Sequence, residues 1–209
     1  MTDIEFRGWP KIARLNRDII ITEKIDGTNA AVGITEACCT ESEISHDGAY
    51  SFGHSYAPGE VYAQSRTRII TPEKDNFGFA AWVRDHADAL RDALGPGLHF
   101  GEWWGKGIQR GYGLSHKRFS LFHTKLEPRE GDLLALSAYQ VELYAVPVLY
   151  EGPFSQAAIE TVLAMLRDAG SAAAPGYMKP EGIVIYHTAA KTMFKVTLEH
   201  DEKPKGSQE

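Results

Sequence analysis

Glu23-Lys24-Ile25-Asp26-Gly27-Thr28-Asn29 stands just after the apolar run Ile19-Ile20-Ile21. A strand through that run would hold the lysine stem, and Gly27 would let the backbone turn close to a phosphate. A lysine in such a setting is a candidate nucleophile. So short a pattern recurs by chance. Four further pieces follow in order: SRTR at Ser65 to Arg68, FGEWWG at Phe100 to Gly105, EGIVI at Glu181 to Ile185, and MFKV at Met193 to Val196. The ordered set carries the weight that the first pattern lacks.

Around these pieces the patterning predicts an α+β domain. Residues 19 to 34 read as two strands around the Lys-x-Asp-Gly turn. Residues 36 to 60 are polar and rich in Gly, Ser and His, which predicts a long surface excursion. Val61 to Gln64 is a short strand leading into SRTR. Residues 76 to 94 carry Phe79, Trp82, Val83, His86, Ala89, Leu90 and Leu94 near helical spacing, and Gly95-Pro96-Gly97 stops that helix. Leu98 to Trp103 reads as a buried strand and Arg118 to His123 as another. Residues 139 to 150 look extended, with Pro147 arguing against a central strand. Ser155 caps a second amphipathic helix through Ile159, Val162, Leu163 and Leu166, ending near Gly170. Gly182 to His187 and Thr192 to Leu198 close the set as strands. No repeat and no linker divides the chain, so one domain over 1–199 and a polar tail over 200–209 are expected.

Composition bounds the rest. A chain of 209 residues with 43% hydrophobic and 24% charged residues is ordinary for a soluble globular protein. No run is long enough to span a membrane. The start carries Asp3 and Glu5 and lacks an apolar signal core. Cys38 and Cys39 are adjacent and fit neither a disulfide nor a zinc spacing, so a cytoplasmic location is expected. The net charge of −6 sits badly with a nucleic-acid partner. The charge is uneven, however. Residues 103 to 125 hold Lys106, Arg110, Lys117, Arg118 and Lys125 with His116 and His123, and no acid, which would suit a local basic face. The histidines are scattered and predict no metal site.

Several side chains stand out for their chemistry. Arg66 and Arg68 alternate, so on one strand they share a face, and arginine suits phosphate. Glu102 lies among bulky apolar residues, where an ionised carboxylate needs a partner or a metal. Phe119 and Phe122 fall on opposite faces of their strand. Lys195 shares a face with Met193, and Lys191 lies on that face at the strand's start.

The ordered set resembles the covalent nucleotidyltransferase superfamily of RNA ligases, DNA ligases and capping enzymes. It is most similar to RNA ligases related to the second phage T4 type, over roughly residues 20 to 198. The resemblance implies an antiparallel-sheet, ATP-grasp-like ligase adenylation fold, as a single nucleotidyltransferase domain without an OB-fold. It implies that Lys24 takes AMP from ATP as a lysyl–AMP phosphoramidate, and that Lys195 neutralises the α-phosphate. Glu23, Ile25, Asn29, Arg66, Glu102 and Phe119 would then belong to the nucleotide site. Between Arg66 and Arg68 the choice stays open, with Arg66 preferred. Phe119 is expected on the adenine and Phe122 in the core. Glu181 would be the carboxylate for Mg²⁺, with Mn²⁺ as a substitute. Asp26 is shared with DNA ligases, whereas Asn29 in Gly-Thr-Asn points to RNA ligases. Relatives often have a lysine where Met193 stands, and Lys191 is a candidate to replace it.

The reading is therefore an ATP-dependent ligase joining 5′-phosphate and 3′-hydroxyl ends, of RNA rather than DNA. With no second domain expected, a protein partner could supply grip on the strand. The alternatives are an ATP-dependent DNA ligase and a nucleotide-binding module that does not ligate.

Overall fold

The turn at Lys24 to Gly27 does not close a hairpin; it carries the chain from one sheet into another. The computed structural model describes residues 5–46, 49–122, 133–136 and 141–199. It divides into two units, Met1–Lys24 with Pro147–Glu209 and Ile25–Val146. Strand β1 (Asp18–Lys24) belongs to the first and β2 (Thr28–Ile34) to the second.

In the first unit, β1 pairs antiparallel with β11 (Val148–Pro153) and with β12 (Gly182–His187), and β13 (Thr192–Thr197) pairs with β12. The order is β11-β1-β12-β13. Alternation sends Ile19 and Ile21 of β1, and Ile183 and Ile185 of β12, to one face. There they meet Ile159, Val162, Leu163 and Leu166 of helix α3 (Gln156–Ala169). Helix α3 starts and stops as its sequence predicts. Ser155 is the N-cap, its hydroxyl accepting the Ala158 N–H at 3.3 Å, and Gly170 follows the last turn. Pro147 lies between strands.

In the second unit, a sheet runs in the order β6-β5-β2-β7-β8-β10-β9. Its strands are β5 (Val61–Ser65), β6 (Ile69–Ile70), β7 (Gly97–Gly105), β8 (Lys117–Leu121), β9 (Leu133–Leu136) and β10 (Val141–Ala145). The pair β8–β10 is parallel, and the other pairs in this sheet are antiparallel. One face, with Ala30, Val32, Trp103, Phe119 and Leu121, packs against helices α1 (Phe79–Asp85) and α2 (Ala87–Leu94).

Four local expectations differ from this. The single helix over 76 to 94 is two helices, because the His86 imidazole engages the Trp82 carbonyl at 2.7 Å and its backbone leaves the helical region at φ −120°, ψ 18°. The surface excursion over 36 to 60 contains an antiparallel ladder of β3 (Cys38–His46) with β4 (Ala49–Ala57). Tyr50, Phe52 and Tyr56 alternate with small residues along β4, a strand signal that the Gly-, Ser- and His-rich composition outweighs. Ser65 ends β5, and Arg66 to Arg68 are not strand but the turn between β5 and β6: Ser65 N–H and its hydroxyl both donate to the Arg68 carbonyl, at 2.8 and 3.2 Å. Lys191 sits in the turn before β13 with φ 50°, outside the strand. The expected strand through His123, the cation Lys125, the residues 139 and 140 and the tail 200–209 fall wholly or partly outside the described residues.

Candidate active site

Lys24 ends β1, on the face turned away from α3. Its Nζ lies 2.5 Å from Glu181 Oε2, a pairing across 157 positions of sequence. Glu181 is 3% exposed and sits just before β12, its carbonyl taking the Leu198 N–H at 2.9 Å. The Lys24 side chain is one-fifth exposed. In register, Lys24 faces Gly182 and Lys195 faces Val184, which in turn faces Thr22. Lys195 thus shares the face of Lys24, one strand beyond β12 and two residues along. The Cα atoms are on the order of 12 Å apart by ordinary sheet spacings, within joint reach of one phosphate for two long side chains. Lys195 and Met193 are both exposed.

Glu23 takes a different place from the one expected. Alternation along β1 turns its side chain to the α3 face, where it is 1% exposed. Its Oε1 accepts the Ser171 hydroxyl at 2.6 Å and its Oε2 the Ala173 N–H at 2.9 Å, while Ser171 Oγ accepts the Ala174 N–H at 3.0 Å. Burial raises its carboxyl pKa above the ordinary value of 4.5, and the bonds from Ser171, Ala173 and Ala172 offset part of that rise. The Glu23 carboxylate therefore ties the loop after α3 to the strand that ends in Lys24.

In the second unit the Asp-Gly turn is held on several sides. Gly27 N–H donates to Glu102 Oε1 at 3.1 Å, and Asp26 N–H to the Tyr112 hydroxyl at 2.8 Å. Arg110 Nε lies 3.1 Å from Asp26 Oδ2. A Cβ on Gly27 would come within 2.6 Å of the Trp103 carbonyl and 2.7 Å of Trp104 Cβ, which explains the glycine better than its torsions do. Thr28 Oγ1 accepts from Asn76 Nδ2 at 3.0 Å. Ile25 is 4% exposed, so its side chain packs inside, leaving the backbone for any contact with ligand.

Asn29, Glu102 and Ser120 are register neighbours across β2, β7 and β8, on the face away from α1 and α2. Phe119 points the other way. It is fully buried, with ring centres 5.0 Å from Phe79 and 5.9 Å from Trp82. Phe122 is 40% exposed and extends the β7–β8 ladder by one bond, its N–H donating to the Phe100 carbonyl at 3.0 Å. Two-residue alternation from Ser120 puts Phe122 on the Glu102 face. Phe119, expected on the base, lies in the core, and Phe122, expected in the core, is exposed, because the core-facing register runs through Trp103, Phe119 and Leu121. That register was the missing signal.

Arg66 and Arg68 are exposed in their turn, and Arg68 reaches the Lys74 carbonyl at 3.2 Å. Of the basic stretch, Arg110 is paired with Asp26, Lys117 Nζ donates to the Phe77 carbonyl at 2.6 Å, and the Arg118 guanidinium lies 4.7 Å from the Tyr144 ring centre. Lys106 and His116 are exposed. Sequence reading missed Tyr112, Ser171 and Asn76, since each acts through a contact far along the chain.

Comparison with known proteins adds an independent line. Comparison with curated proteins gives no match. Among solved structures, a Naegleria gruberi RNA ligase mutant with ATP and manganese is similar in fold, with a TM-score of 0.50 and 19% identity over 90% of this chain and 52% of that one. Another mutant of that enzyme, with AMP and manganese, has a TM-score of 0.49 and 20% identity over 88% and 50%. The chain spans about half the length of these structures. The RNA ligase family matches residues 17–197. That range runs from β1 through β13 and takes in Lys24, Glu102, Glu181 and Lys195, and the chain belongs to the RNA ligase family.

Proposed function

We propose that the protein is an ATP-dependent RNA ligase that joins 5′-phosphate and 3′-hydroxyl ends through a covalent lysyl–AMP intermediate. The observation that carries this reading is Lys24 Nζ beside the buried Glu181 carboxylate, joined to the family match. ATP and manganese in the Naegleria enzyme's structure support a nucleotide and a divalent metal here.

In the first step Lys24 Nζ attacks the α-phosphorus of ATP. Glu181 Oε2, the acceptor at 2.5 Å, takes one proton of the ammonium to free the lone pair; the N–P bond then forms as the P–O bond to pyrophosphate breaks, and the second proton on the nitrogen leaves with the pyrophosphate. Lys195 faces the charge that builds on the phosphate. AMP then passes from Lys24 to a 5′-phosphate, and a 3′-hydroxyl attacks that activated end to release AMP. Glu181 and phosphate oxygens would hold the metal, since a carboxylate oxygen suits Mg²⁺, and the ion would neutralise phosphate charge. Asn29, Glu102 and Phe122 share the face on which we place the nucleoside. Phe122 takes the stacking role in place of Phe119. We assign Glu23 to positioning through its side chain, and any nucleotide contact there to its backbone. Arg66 remains preferred over Arg68 for the contact to the ribose or to the strand's terminal phosphate.

The test is labelling with ATP radiolabelled at the α-phosphate, with magnesium, on a denaturing gel. Wild type is expected to carry the label and Lys24→Ala none. An unlabelled, folded wild type across ATP, GTP and manganese overturns the reading in favour of a binding module. Matched RNA and DNA nicks then decide the substrate, with RNA expected to be sealed faster.

A further inference from the structure

Every residue from Glu5 to Asp18 is exposed, and residues 5–14 lie outside any helix or strand. The stretch FRGWPKIARLNR, Phe6 to Arg17, is unlike the rest of the chain. Phe6, Trp9, Ile12 and Leu15 recur every third residue and are 91%, 88%, 85% and 61% exposed. Arg7, Lys11 and Arg14 stand between them and Arg17 follows Leu15, with no acid in the stretch. The stretch therefore carries +4, and the remaining chain −10, to give the total of −6. Its C-terminal end is anchored. His187 Nε2 meets the Leu15 carbonyl at 2.8 Å, and Phe154 N–H donates to the Arg17 carbonyl at 2.9 Å. Those bonds fix it to the sheet that ends β1 in Lys24.

Exposed Phe and Trp interleaved with cations are what a single-stranded polynucleotide requires. Cations neutralise the backbone, and each aromatic face offers a stacking platform to an unpaired base. A surface for a folded protein partner would need no such excess of one charge. We propose that residues 6–17 form a basic, aromatic arm that binds the single-stranded part of the polynucleotide substrate. The arm deepens the ligase reading and rests on it for the identity of the strand. It supplies grip in a chain whose remaining charge repels nucleic acid.

The experiment measures binding of a fluorescein-labelled single-stranded RNA by anisotropy across a salt series. Wild type is compared with Trp9→Ala and with the triple variant Arg7→Ala, Lys11→Ala, Arg14→Ala. Lysine labelling by ATP without RNA is read in parallel, and melting temperature confirms folding. Trp9→Ala is expected to weaken binding about tenfold, the scale of one lost base stack. The triple variant is expected to lower the salt slope by about 2, three contacts on a single strand. Labelling by ATP is expected to stay at the wild-type level in both. Unchanged RNA affinity and slope overturn the proposal. So does a loss of labelling in the variants, which would place the arm on the nucleotide step. Self-association that the variants abolish, with RNA binding intact, also overturns it and assigns the arm to a second copy. RNA binding is read directly, so failure of wild-type labelling would sink the ligase reading and leave the arm's result standing.

Discussion

Two buried side chains beside the motifs carry different kinds of consequence. Glu23 has its carboxyl raised by burial, with bonds from Ser171 and Ala173 offsetting part of the shift. A carboxyl whose folded pKa lies above its unfolded value favours folding in its neutral form. That contribution is present below about pH 4.5 and is lost as pH rises through the folded value. Urea unfolding at a series of pH values from 4.5 upward should show wild type losing stability relative to Glu23→Gln. Parallel curves for the two proteins would remove Glu23 from the titrating groups that matter. The aromatic pair separates packing from binding. Phe119→Ala should cost about 3–5 kcal/mol, the usual penalty for emptying a buried aromatic site. Phe122→Ala should cost about 1 kcal/mol or less and act instead on the ATP concentration needed for half-maximal labelling. Equal effects on stability would contradict the burial of one and the exposure of the other.

At the scale of elements, the turns hold the chemistry in place. Helix α1 begins at Gly78 in the left-handed region, a residue with no side chain to cap it. Asp75 supplies the missing acceptors, its Oδ1 taking Asn76 N–H at 2.6 Å and Ala80 N–H at 2.8 Å, and its Oδ2 taking Ala81 N–H at 3.0 Å. Asn76, in the same turn, then reaches Thr28 of the Lys-x-Asp-Gly-Thr-Asn stretch. Asp75→Ala leaves three N–H groups without that carboxylate and should destabilise by about 1–3 kcal/mol. It should also slow lysine labelling, because Thr28 loses its placed partner. Labelling at the wild-type rate in a destabilised Asp75→Ala protein would confine the turn to a structural role. The Glu23–Ser171 clamp is the counterpart in the first unit, tying the loop after α3 to β1.

At the scale of the whole molecule, the chain crosses between its two units at the peptide joining Lys24 to Ile25 and again between Val146 and Pro147. The residues matched to the motifs are therefore divided, with Lys24, Glu181 and Lys195 in one unit and Asn29, Glu102 and Phe122 in the other. Among the described residues, no group of three or more His, Cys, Asp or Glu is gathered to hold a metal ion. A metal used here would lean on nucleotide phosphates as much as on protein. Chelation by EDTA should abolish lysine labelling while leaving the melting temperature of the nucleotide-free protein unchanged. A fall in melting temperature on chelation would instead reveal a structural ion. No helix among the described residues is long and apolar enough to cross a membrane.

The order of the motifs was legible in the sequence alone, as were β1, β12, β13 and α3. Local rules suffice for these. The apolar run Ile19-Ile20-Ile21 marks β1, and a Ser cap with a following Gly brackets α3. Lys24 stands out as a candidate only through the ordered set of motifs, since its own pattern is too short to carry weight alone. Local rules failed where a side chain's place depends on which face of a sheet is covered. Phe119 and Phe122 differ in no local way; helices α1 and α2 cover one face and send Phe119 into the core. Glu23 reads like a site residue until Ser171 and Ala173, about 150 positions away, arrive at its carboxylate. SRTR reads as strand until Ile69 and Ile70 fold back on β5. Sequence determined which chemical groups are present and in what order. Tertiary structure alone decided which of them stay exposed and which are committed to holding the backbone, because only long-range packing chooses the face.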